Sequence, residues 1–150
     1  MKKIKLLMIF EGMLLDDLAM DLQMTYGYIV TVQKETIKTA LNSLNSFDVV
    51  MCSMKKSIDA DFSTEEIVLA SEGGVGLTKR DKESSGRGQT TGKVIVQRIR
   101  KSFPKMPILI YGSSGKTIPA PDDNMKYLIM PEASETIDKA IQKLMKQETK

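Results

Sequence analysis

At 150 residues, with 41% hydrophobic and 27% charged residues, the chain is sized for one globular domain that buries about 70% of its unfolded surface. A net charge of +3, no Trp, four Phe and four Tyr leave neither a basic stripe nor a set of stacking platforms, so nucleic acid is not an expected partner. Histidine is absent, which excludes histidine metal sites, Ser–His–Asp triads, histidine general bases and histidine phosphotransfer.

The amino end, Met1 to Phe10, is basic and then apolar. Its apolar part is short, runs into Glu11 and lacks a small-residue cleavage site, so Ile4 to Phe10 reads as a first strand and not as a signal peptide. Leu15, Leu18, Ala19, Leu22 and Tyr26 then recur at helical spacing, with Asp16, Asp17, Asp21 and Gln23 on the wet side, and Gly27 stops that helix. Tyr28 to Val32 is a second strand. Thr36 to Leu44 follows as a second helix, with Ile37, Ala40, Leu41 and Leu44 on one face. Val49 to Cys52 is a short apolar run with β-branched residues at its head, bounded by Asp48 and Ser53, which reads as a strand buried on both faces. Cys52, the single cysteine, has no internal disulfide partner and reads as a buried, inert thiol.

Ser57 to Thr91 is polar and holds five glycines. Ser63 with Glu66 suits a capping box, so Ile67 to Ala70 fits a short helix ended by Gly73-Gly74; Ile67 to Leu69 fits one arm of a hairpin equally well. Lys79 to Gly88 reads as mobile and solvated. The run Gly88 to Lys93 fails as a phosphate loop, because Arg87 stands where the first Gly belongs and Val94 where the hydroxyl belongs. Val94, Ile95, Ile99 and Phe103 mark a further helix ended by Pro104, and Ile108 to Tyr111 is a fourth strand. Lys116 to Asn124 has weak periodicity. Lys126 to Met130 is a fifth strand, and Ser134 caps a last helix with Ile137, Ala140, Ile141, Leu144 and Met145 on its face. No stretch approaches the roughly 18 apolar residues that span a bilayer, so a cytoplasmic protein without a membrane partner is expected.

Five strands alternating with helices imply an α/β, flavodoxin-like, doubly wound parallel sheet in the order 2-1-3-4-5. The chain resembles the receiver domains of two-component response regulators, which are CheY-like. Lys3 to Glu11 resembles the first strand running into the acidic pair, and Phe47-Asp-Val-Val-Met-Cys52 resembles the strand before the phospho-acceptor. Thr91 to Arg100 with Phe103 to Ile110 resembles the third helix and fourth strand, and Tyr127 to Pro131 the fifth strand with its proline. The resemblance implies one domain over 1–150, with 57–91 as an inserted mobile loop and 147–150 as a frayed tail. The fold then consumes the chain, so no output domain is expected.

The departures from the receiver pattern matter more than the matches. The acidic pair that holds magnesium reads Phe10 and Glu11, which leaves Glu11 as a weak single-carboxylate cation candidate and no other metal site. By resemblance the phospho-acceptor aspartate falls on Ser53, the sensing hydroxyl on Gly112 and the phosphate-pairing lysine on Met130. The switch aromatic falls on Tyr127, and Pro131 is expected to follow a cis peptide bond. Lys55, Lys56 and Lys116 fall at the rim. The expectation is a degenerate pseudo-receiver. It has no catalytic residues and no cofactor, acts through a protein partner independently of phosphorylation, and is a monomer or homodimer. The alternative is a small anion or nucleotide binder using the carboxyl ends of strands 1, 3 and 4, with Gly112-Ser-Ser-Gly115 donating backbone N–H groups.

Overall fold

The computed structural model describes residues 3–9, 14–33, 36–53, 60–70, 91–112, 123–129 and 133–148. Strands β1 (Lys5–Ile9), β2 (Ile29–Gln33), β3 (Val49–Ser53), β4 (Ile108–Gly112) and β5 (Met125–Ile129) form one parallel sheet in the order β2-β1-β3-β4-β5. This is the flavodoxin-like order implied by the sequence. Register runs Met8↔Met51 between β1 and β3, and Cys52↔Ile110 between β3 and β4. Asp48 fixes the amino edge: its N–H donates to the Lys5 carbonyl at 2.9 Å, and its carboxylate accepts the Lys5 N–H at 2.9 Å.

Helices α1 (Leu14–Tyr26) and α5 (Ser134–Glu148) cover one face. There Leu22, Ile137 and Ile141 pack on Leu6, Met8, Val49, Met51 and Leu109. Helices α2 (Ile37–Leu41), α3 (Thr64–Ala70) and α4 (Thr91–Ser102) cover the other. There Ile37, Ile67, Ile95 and Ile99 pack on Leu7, Ile9, Val50, Cys52, Ile108 and Ile110. Alternate residues of β1, β3 and β4 thus face opposite cores, which is why these strands are apolar through their centres. Each fully buried aliphatic side chain contributes about 1.5–3 kcal/mol.

Gly27 ends α1 at φ 75°, where its N–H donates to the Gln23 carbonyl at 3.1 Å. The second helix is shorter than its apolar spacing implied. Thr36 caps it, Asn42 closes it, and a separate 3-10 turn at Leu44–Ser46 carries Leu44 into the core. The face reads as continuous in sequence because Leu44 is buried whichever way the chain reaches it.

Within 57–91 the described residues are 60–70 and 91, and Thr64–Ala70 is a helix and not a hairpin arm. The Ser63 hydroxyl accepts the Glu66 N–H at 3.1 Å and Glu66 accepts the Ser63 N–H at 3.0 Å, a complete capping box. Phe62, Ile67 and Ala70 are buried in the same core as α4. Arg98 of α4 clamps this segment. It donates to both Glu66 oxygens at 2.8 and 3.1 Å, reaches Asp61 at 3.4 Å, and lies 4.9 Å from the Phe62 ring centre. Residues 71–90 lie outside the described residues.

Arg98→Ala should lower stability by about 1–3 kcal/mol, because a charge-assisted bidentate pair and a cation–π contact are lost together. Urea unfolding checks this, with Arg98→Lys retaining part of the loss. The Arg98 hydrogen bonds hold the Glu66 carboxyl below its ordinary value. A depressed carboxyl pKa stabilises the fold above the unfolded value and loses that contribution as pH falls. The gap between wild type and Glu66→Gln should therefore be full at neutral pH and close below about pH 4.

Candidate functional site

Because all five strands run the same way, their carboxyl ends share one edge of the sheet, the usual place for ligands in open α/β folds. Ser53 is the last residue of β3 and is half-buried there. Register sets it beside Tyr111 of β4. Alternation puts both on the α1–α5 side, together with Met51 and Leu109. Gly112 closes β4 opposite Ile129 and adds no side chain to the edge. Glu11, Met130 and Pro131 lie outside the described residues, as do Lys55, Lys56, Lys116 and the Ser113 to Gly115 loop. Of the residues singled out from sequence, the structure therefore brings Ser53 and Gly112 to one edge. Tyr127 sits mid-strand in β5 opposite Ile110 and packs against the other core, with the sheet between it and Ser53.

Tyr111 was legible only as a strand residue, and it turns out to be the neighbour that defines the Ser53 environment. Its side chain is 6% exposed, and among the described residues no group meets hydrogen-bond geometry with its hydroxyl. Burial raises the phenol well above its ordinary pKa, and the nearby Ser53 hydroxyl offsets part of that rise. Both groups stay protonated at neutral pH, so this pair offers hydroxyls and no anion. Burial alone pushes the Cys52 thiol, one residue before Ser53, up to about 12. Among the described residues, no three Cys, Asp or Glu side chains converge to hold a metal ion.

A second buried tyrosine shows what a satisfied hydroxyl looks like in this core. The Tyr28 hydroxyl donates to Asp138 of α5 and accepts from Gln142 at 3.3 Å, so desolvation is compensated on both sides. Nearer the carboxyl edge, the Ser134 hydroxyl donates to Asp21 and ties the start of α5 to α1; that bond, with another from Thr25, lowers the Asp21 carboxyl.

Set beside solved structures, the chain matches a response regulator receiver protein from Sinorhizobium medicae WSM419 with a TM-score of 0.65 and 18% identity, over 98% of each chain. The fold is that of a receiver domain. A CheY-like receiver domain protein from Methanospirillum hungatei JF-1 matches with a TM-score of 0.61 and 11% identity, over 99% of this chain and 98% of the other. A chemotaxis response regulator of Vibrio cholerae matches with a TM-score of 0.58 and 16% identity, over 95% and 99%. No family model and no curated protein matches the sequence. Among the described residues, no helix is long and apolar enough to cross a membrane.

The two tyrosines should respond oppositely to loss of their hydroxyls. Tyr28→Phe should cost about 1–2 kcal/mol by orphaning Asp138 and Gln142, whereas Tyr111→Phe should be neutral or stabilise by about 1 kcal/mol. Thermal unfolding of both variants distinguishes them. Cys52 should resist alkylation at pH 8 in the folded protein and react once the protein is unfolded, which intact mass after iodoacetamide treatment reads directly.

Proposed function

We propose that the protein is a receiver-fold signalling module that works by protein contact and does not transfer phosphoryl groups. The observation that carries this reading is the Ser53–Tyr111 pair at the carboxyl end of the sheet. A receiver strand ends there in an aspartate, an anion at neutral pH and so a ready nucleophile. A serine hydroxyl needs a base beside it, and its neighbour across the register is a phenol held protonated by burial. Gly112, at the place of the sensing hydroxyl, has no group with which to read a new charge. A magnesium ion favours carboxylate, carbonyl and water oxygens, and a neutral hydroxyl in place of a carboxylate removes charge that would hold it. No described residue favours the anion- or nucleotide-binding alternative, since its loop beyond Gly112 lies outside the described residues.

Incubation with acetyl phosphate and magnesium should leave the intact mass unchanged, while a receiver with its aspartate present gains a phosphoryl group under the same conditions. A phosphoryl adduct on the folded protein overturns the proposal.

A further inference from the structure

Residues 60–70 lie between β3 and α4 in the chain, and one guanidinium gathers three of their side chains. Arg98 donates to Glu66 at 2.8 and 3.1 Å and to Asp61 at 3.4 and 3.5 Å, and it lies 4.9 Å from the Phe62 ring centre. It follows Ile95 by three positions and Val94 by four, so it sits on the stripe of α4 whose apolar residues share a core with Ile67 and Ala70. The Arg98 side chain is 19% exposed and that of Glu66 23%, so the pair is partly shielded from salt. The capping box, and the bond from the Ile67 N–H to the Ser63 carbonyl at 2.9 Å, close within the segment. Among the described elements, α3 packs chiefly on α4. It has seven residues, and a helix that short does not persist in water without tertiary packing. Off α4 it loses its shape together with its place.

We propose that 60–70 is a strap that detaches from α4 and unfolds as a unit while the sheet stays intact, with Arg98 setting how much of the protein is closed. The attachment is concentrated: two carboxylates and a ring converge on a single guanidinium, so one side chain governs the whole segment. The attachment is also peripheral. The five strands pair directly with one another, and the core under α1 and α5 contains no residue of the strap. Its buried contribution is Phe62, Ile67 and Ala70, all in the other core. Opening therefore regains the backbone entropy of the segment and uncovers apolar groups around Val94 and Ile95 while the sheet keeps its pairing. An order–disorder element of this kind changes the surface of the fold without a phosphoryl group. The strap does not rest on the protein-contact reading, because its attachment makes no use of the carboxyl edge.

Amide hydrogen exchange of the full chain in low urea, corrected for intrinsic rates, tests it. The reference amides are Val50, which donates to the Pro107 carbonyl at 3.0 Å, and Ile108, which donates to the Asn124 carbonyl at 2.8 Å. Ile67 to Ala70 should exchange at least about tenfold faster than these and show almost no urea dependence, while the reference rates rise steeply with urea. Arg98→Ala should speed Ile67 to Ala70 by a further factor of about ten and leave their urea dependence small. Adding Glu66→Gln to Arg98→Ala should change those rates by less than about twofold, since the partner is already gone. Three results overturn the proposal. One is equal protection and equal urea dependence in the strap and the sheet. Another is an unchanged strap rate in Arg98→Ala. The third is an Arg98→Ala protein that cannot fold, since the sheet would then depend on the strap. A phosphoryl adduct at the carboxyl edge would overturn the protein-contact reading and leave these rates as they are.

Discussion

Parallel strands cannot be joined by a tight turn, so each return of the chain must cross a face of the sheet, and both faces end up covered. In this protein that constraint sets nearly everything else. The three inner strands alternate their side chains between two apolar cores, one under α1 and α5 and one under α2, α3 and α4. Every strand delivers its carboxyl end to the same edge. Function is then a question of what each strand happens to end with. β3 ends in Ser53 and β4 in Gly112, and register sets Tyr111 beside Ser53.

On the proposed reading, the chemistry of the described residues at this edge differs from that of a site built for phosphoryl transfer. A site that accepts a phosphoryl group from a donor needs an anionic nucleophile and a cation to offset the added charge. Around Ser53 lie a thiol and a phenol whose ionisation burial disfavours, and the half-buried hydroxyl itself.

Much of the sheet was legible in the sequence. The run Val49 to Cys52 reads as a two-sided strand, and the structure places a strand there that extends through Ser53. What local pattern could not decide was settled by contacts distant in sequence. The helix over Thr64–Ala70 competes with a hairpin arm until Arg98, 32 residues away, clamps Glu66. The second helix looked longer than it is because burial at Leu44 does not reveal the backbone path to it. Tyr111 is unremarkable as one residue of an apolar strand, and only the register with Ser53 makes it part of the site.

The central claim is that the carboxyl edge has lost phosphoryl recognition while the receiver fold is kept. An amide NMR titration with magnesium and beryllofluoride, a mimic of the phosphoryl group, tests it most directly. The account predicts that the resonances of Ser53, Tyr111 and Gly112 stay where they are. Saturable shifts centred on those three residues would contradict it.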